Sequence, residues 1–120
     1  MALTRDFKET VMARAQRDPE FREGLLTEAI ECFLGGDIAT GKILLRDYIN
    51  ATVGFQKLAQ ETGKKDTSLM RMLGPKGNPA ARNLFELVAL LQKHEGIRFQ
   101  ITPQRDSHIE RDERTVTVQD

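Results

Sequence analysis

The sequence contains little of what disulfide-bonded, membrane-spanning and many catalytic proteins depend on. Its 120 residues include one cysteine, two histidines and no tryptophan. A single cysteine, Cys32, excludes an internal disulfide and favours a reducing, cytoplasmic location. No apolar run approaches the roughly 20 residues of a membrane helix, so we expect no membrane association. The opening MALTRDFKE lacks an apolar stretch and predicts no signal peptide.

Enzyme chemistry and metal binding have equally little basis in this chain. Cys32, His94 and His108 lie far apart in the sequence, and no spacing among them is typical of a zinc site. The segment Gly74-Pro75-Lys76-Gly77 lacks the spacing and the Lys-Ser/Thr end of a phosphate-binding loop. We therefore expect neither an enzyme, nor a cofactor, nor a bound metal.

The net charge of zero conceals a segregated charge distribution. Residues 1–53 carry 7 basic and 9 acidic side chains, and residues 54–98 carry 8 basic and 4 acidic ones. The remaining residues, 99–120, carry 3 basic and 5 acidic side chains. The positive surplus in the middle segment is where a polyanion would bind, although a solvated, locally basic face is the simpler alternative.

Cap residues, prolines and glycines divide the chain into helices. Asp18-Pro19 is typical of a helix start, and Asp37 can cap the helix that follows Gly35-Gly36. Asn78 and Pro79 predict the start of a last helix with a buried seam of leucines and valine. The predicted helices outside the central motif span residues 4–16, 19–34, 38–52 and 79–94.

The segment from Phe55 to Leu73 predicts two short helices joined by a tight turn at Gly63. Leu58 and Ala59 fall on the inner face of the first helix, and Leu69, Met72 and Leu73 repeat at helical spacing on the second. Glycine supplies the left-handed backbone that such a turn requires. This arrangement is typical of a helix-turn-helix and indicates DNA binding.

The polar residues around this motif are the candidate DNA contacts. Side chains on the second helix would meet base edges, because arginine pairs with guanine and small hydroxyls bond several bases or phosphates. Residues at the motif's start and flanks would hold phosphates. The candidates are Lys65, Thr67, Ser68 and Arg71 on the second helix and Gln56, Lys64, Lys76 and Asn78 around it. A hydrophilic outer helix face is the alternative for the first group, and capping is the alternative for Asn78.

Strict alternation in residues 97–101 predicts a short strand. One strand is not stable alone, so it needs either residues 115–118 or the same strand of a second copy as its partner. The fold class is therefore all-α, a helix-turn-helix bundle with a short C-terminal β-strand. We divide the chain into an N-terminal helical extension (1–36), a DNA-binding domain (37–102) and a charged tail (103–120).

Several of these residues together resemble a known family. Gly54-Phe55, Leu58-Ala59, Thr62-Gly63, Ser68-Leu69, Leu73 and Gly77-Asn78-Pro79 resemble the "probable addiction module antidote" family of lambda-repressor-like antitoxins. The resemblance covers residues 37–102 and is most specific from Gly54 to Pro79. Two departures from the family pattern, Asp66 in place of a basic residue and Met70 in place of tyrosine, lie near the base-reading helix.

The resemblance implies a dimeric bacterial antitoxin that represses its own operon and neutralises a small nuclease toxin. The implied partners are double-stranded DNA of its own promoter, the cognate toxin and a second copy of the chain. Two alternatives remain open: a stand-alone helix-turn-helix transcription factor without a toxin, and a helical adaptor that binds proteins. The first alternative would bind DNA identically and differ only in lacking a partner protein.

Overall fold

Helices make up most of the part of the chain that the structure describes. The structure is a computed structural model that describes residues 11–106. Helix α1 covers residues 11–17 of this range, and five further helices follow: α2 Pro19–Leu34, α3 Ile38–Ala51, α4 Phe55–Thr62, α5 Asp66–Met72 and α6 Ala81–Glu95. Residues 11–106 contain no strand, so the expected all-α class is confirmed for this range.

The two carboxylate caps lie where the sequence predicts them. The Asp18 side chain accepts hydrogen bonds from the backbone N–H groups of Glu20 and Phe21 at 3.1 and 3.2 Å. Asp37 accepts one from Thr40 at 3.2 Å. These bonds satisfy amide groups that have no partner inside the first turn of a helix, and they fix the starts of α2 and α3.

The predicted start of the last helix is wrong by two residues. Neither Asn78 nor Pro79 begins it: α6 starts at Ala81, and Ala80, with extended backbone angles, is the N-cap residue. The reason is tertiary, because the carbonyl oxygen of Gly77 accepts a hydrogen bond from Lys42 on α3. This contact fixes the backbone at Gly77 in the loop, so the helix begins only after Pro79.

One core joins all six described helices. Its members are Ala15 on α1; Leu25, Leu26 and Ala29 on α2; Leu45, Tyr48, Ile49 and Ala51 on α3; Phe55 and Leu58 on α4; Leu69 and Leu73 on and after α5; and Leu87 and Leu91 on α6. Gly41 lets α3 approach α2, because a Cβ atom at this position would lie 2.5 Å from the Phe33 ring. Residues 11–34 thus pack into the same core as the rest of the described chain.

A partly buried polar bridge ties three helices together at one end of this core. Glu95 on α6 accepts hydrogen bonds from the Tyr48 hydroxyl on α3 and from Arg22 Nε on α2, the latter at 3.1 Å. Arg22 also donates to the carbonyl oxygen of Ala15 at 3.0 Å. Burial, reinforced by the bond to Glu95, raises the pKa of Tyr48 above its ordinary value. The phenol therefore stays neutral and acts as a donor at physiological pH.

The segment after α6 runs without regular secondary structure as far as residue 106. The backbone N–H of Phe99 donates to the Gln92 side chain at 2.7 Å, which holds this segment beside α6. The strand expected at 97–101 is not formed here, because a strand needs a partner and no strand lies in residues 11–106. Its expected partner at 115–118 lies outside the described residues, as do most of the tail and residues 4–10 of the first predicted helix.

Among residues 11–106, every helix is too short or too polar to cross a membrane.

Candidate nucleic-acid interface

Helices α4 and α5 pack against each other across a three-residue turn. Leu58 on α4 and Leu69 on α5 are both buried completely or almost so. Between them Gly63 has a φ of +75°, in the left-handed region that the sequence predicts, and its N–H donates to the carbonyl oxygen of Ala59 at 2.9 Å. The Thr62 hydroxyl accepts from the N–H of Lys64 at 3.3 Å. The turn therefore fixes where α5 begins.

Helix α5 buries one face and exposes the other. Leu69 and Leu73 point into the core, whereas Thr67, Ser68 and Arg71 are exposed. Asp66 lies in the first turn of α5 and accepts from the N–H of Thr67 at 2.7 Å. Its carboxylate therefore bonds the backbone, although the N-cap residue of α5 is Lys65. The exposed face carries hydroxyl and guanidinium groups, which are the groups that bond base edges and phosphates.

A groove of about 490 Å³ runs beside this exposed face. Within residues 11–106, five of the eight candidate residues line it together and no carboxylate does. The five are Lys64, Ser68, Arg71, Lys76 and Asn78, joined by Met72, Gly77, Pro79, Ala80 and Asn83. Three cationic side chains around one concave surface create a positive potential that attracts anions. The fold thus assembles residues from the turn, from α5 and from the 74–80 loop at a single surface.

The other three candidates lie outside the groove. Lys65 and Thr67 are exposed at the start of α5, and Gln56 is exposed at the second position of α4. Within the described residues no side chain caps the start of α4, so its first amide groups can meet an external acceptor. Gln56, Lys65 and Thr67 therefore remain accessible to a ligand larger than the groove.

Comparisons with protein-family models, curated proteins and solved structures give no significant match.

One residue of the groove, Asn83, is absent from the sequence-based candidates. It lies in the first turn of α6, which has no side-chain cap from the part of the chain that the structure describes. Its side chain can both donate and accept hydrogen bonds, which suits contacts to phosphates and bases. No sequence signal marks it, because only the folded 74–80 loop shows which side of α6 lines the groove.

A second concave surface, of about 440 Å³, lies at the opposite end of α6. Arg22, Tyr48 and Glu95 line it, and all three take part in the polar bridge described above. His94, also in its lining, lies 2.6 Å from a carboxylate oxygen of Glu61 on α4. Because these groups satisfy one another, the packing of the helix ends accounts for the surface. Within residues 11–106, no three His, Cys, Asp or Glu side chains are grouped to hold a metal ion.

Proposed function

We propose that this protein is a DNA-binding transcriptional regulator that inserts α5 into the major groove. The observation that carries the proposal is the exposed polar face of α5 beside a groove whose lining, among the described residues, holds three cations and no carboxylate. A helix-turn-helix protein reads bases with the second helix of the motif, and the flanking elements hold the DNA backbone. Both parts of that requirement have residues available here.

The proposed contacts fall into two groups with different roles. Lys64, Lys76 and Asn78 contact phosphates, which contributes affinity for any duplex and makes binding depend on salt. Arg71 and the two hydroxyls of Thr67 and Ser68 contact base edges and choose the sequence. Gln56 and the start of α4, together with Lys65, extend the phosphate contacts beyond the groove.

We propose further that two copies bind together as a homodimer. Two helix-turn-helix units reach successive major grooves about 34 Å apart, and a two-fold symmetric pair suits a palindromic operator. Residues 97–101 would join the copies as paired strands, which would supply the partner that this alternating segment needs. This pairing would also complete the short C-terminal strand expected from the sequence.

The regulatory role that we propose is that of an antitoxin. It is supported by the resemblance of Gly54 to Pro79 to the antidote family. The acidic surplus of residues 99–120 suits a basic partner, which a small nuclease toxin would be. If the toxin and the operator both favour the same dimer, the binding of either strengthens the binding of the other.

The DNA proposal is tested by a gel shift with the DNA immediately upstream of the protein's own gene. We expect a shifted complex that a scrambled duplex displaces only weakly. Binding should weaken steeply as salt is added. The triple variant Thr67→Ala/Ser68→Ala/Arg71→Ala should lose the preference for the promoter. Lys93→Ala, which removes one charge at the far end of α6, is the control and should keep it. Equal binding of promoter and scrambled DNA by the wild type would refute the proposed regulator.

The partner proposal needs a separate measurement. The adjacent reading frame should encode a small basic protein that co-purifies with this chain and is toxic when expressed without it. A promoter-binding protein without such a partner would be the stand-alone transcription factor. A protein that ignores promoter DNA but captures an acidic protein through the α5 face would be the adaptor.

A further inference from the structure

Lys42 is a buried lysine on α3 whose ammonium group faces the loop between α5 and α6. Only 6% of the residue is exposed. Its Nζ donates hydrogen bonds to the carbonyl oxygens of Gly74 at 2.8 Å and Gly77 at 2.7 Å. These two bonds join residues 32 and 35 positions apart in the sequence. A buried charged side chain therefore hydrogen-bonds the loop at two carbonyl groups.

Packing alone would not require a lysine at this position. Burying an ammonium group is unfavourable unless hydrogen bonds replace its water, and an apolar side chain of similar length avoids that cost. A methionine, however, could not bond to carbonyl oxygens. What lysine adds is a fixed direction for the carbonyl groups of Gly74 and Gly77, and hence for the backbone between them.

The residues held in this way belong to the groove. Lys76 lies between the two glycines that Lys42 bonds, and Asn78 directly follows the second of them. Gly74 and Gly77 are themselves bonded to the end of α5 and to each other, through N–H bonds to Arg71 and Gly74 at 3.0 Å. With its carbonyl oxygens turned toward Lys42, the loop leaves the exposed Lys76 and Asn78 side chains at the surface beside α5.

We propose that Lys42 is a positioning residue for DNA binding. It holds the 74–77 loop so that Lys76 contacts a phosphate while α5 lies in the major groove of the DNA. The role rests on the proposed function, although Lys42 itself is buried and touches no DNA. A loop that is ordered before binding loses less conformational entropy on binding. The affinity for DNA therefore depends on the two hydrogen bonds from Lys42.

The first test uses the free protein and does not involve DNA. Amide hydrogen exchange at Gly74 and Gly77 should accelerate by about tenfold or more in Lys42→Met, because both amides lie in the loop that the lysine holds. Lys93→Met removes the same charge from an exposed site on α6 and should leave these rates unchanged. Lys42→Gln keeps a donor for one carbonyl, so its exchange rates should fall between those of the wild type and Lys42→Met. It also provides a second variant if Lys42→Met does not fold. Unchanged exchange in a folded Lys42 variant would overturn the inference.

The second test is a double-mutant cycle with a promoter duplex. Lys76→Ala should weaken binding by about fivefold in the wild-type background and by less than about twofold in Lys42→Met, because the loop is already released. Lys42→Met alone should lower the salt slope by about one unit, whereas Lys93→Met should not. Additive effects of the two substitutions would overturn the positioning role. If the wild type itself fails to prefer the promoter, the proposed function fails, and the exchange rates still decide whether Lys42 orders the loop.

Discussion

Gly77 lies against the last turn of α5 so closely that a Cβ atom there would stand 2.2 Å from the carbonyl oxygen of Arg71. The carbonyl oxygen of Met72 would be only 2.4 Å away. Both obstacles are backbone atoms, so no side-chain rotation can relieve the overlap. The glycine is therefore required by close approach, and this contact sets the distance between the 74–80 loop and α5.

We predict that Gly77→Ala destabilises the protein and displaces the loop. Overpacking of this kind typically costs about 1–3 kcal/mol, and chemical denaturation would measure it. The variant should also bind the promoter less tightly, because Lys76 moves relative to Arg71.

The control is Gly24→Ala, in the exposed interior of α2. Space is open there, with nothing within 4 Å of an added Cβ atom. Alanine favours a helix over glycine by about 1 kcal/mol, so this variant should gain stability and keep its DNA affinity. A Gly77→Ala protein as stable as the wild type would contradict the close-approach argument.

The Arg22–Glu95–Tyr48 bridge predicts a large difference between two glutamates of the same helix. The Glu95 side chain is 7% exposed, so Glu95→Gln leaves Arg22 and Tyr48 with a poorer acceptor and should cost about 3 kcal/mol of unfolding free energy. Glu86 pairs with Arg82 at 3.4 Å with both side chains largely exposed. Glu86→Gln should therefore change stability by less than about 0.5 kcal/mol. Equal effects in parallel urea titrations would argue against the bridge.

Local signals were enough to predict most of the helices and the turn between α4 and α5. Asp18, Asp37 and Gly63 act within a few residues of their own positions, so their effects can be read from the sequence. Lys42 could not be interpreted in this way, because its burial depends on carbonyl groups 32 and 35 residues away. The same distant contact explains why Asn78 does not cap α6. Asn83 was missed for a related reason: only the folded loop shows which side of α6 it shares.

The cap at Asp18 predicts a pH dependence of stability. Hydrogen bonding from the backbone of Phe21, with a smaller contribution from Arg14, lowers the pKa of Asp18 despite partial desolvation. A lowered pKa means that the folded state favours the carboxylate. The stabilisation is therefore complete above the ordinary value of about 3.9 and disappears as the pH falls through the lower pKa of the folded state.

Asp18→Asn isolates this effect, because asparagine also caps helices but does not titrate in this range. The wild type should melt at a higher temperature than the variant at neutral pH. The difference should shrink as the pH falls below the ordinary carboxyl value and through the lowered pKa of folded Asp18, below which both states hold the proton. A difference that stays constant over that range would show that the charge of Asp18 is irrelevant to the cap.

The two proposed classes of DNA contact should separate when promoter and scrambled duplexes are compared over a range of salt concentrations. Arg71→Ala should cost about 1–3 kcal/mol on the promoter and much less on scrambled DNA, because a base contact is lost. Lys64→Ala and Lys76→Ala should instead weaken both duplexes alike and lower the salt slope by about one unit each. The distinction follows from what each group can recognise: phosphates are the same along every sequence, whereas base edges differ. If Arg71→Ala weakened binding to both duplexes equally, α5 would lie along the DNA backbone rather than in the major groove. The assignment of α5 as the base-reading helix would then fail, although DNA binding itself would stand.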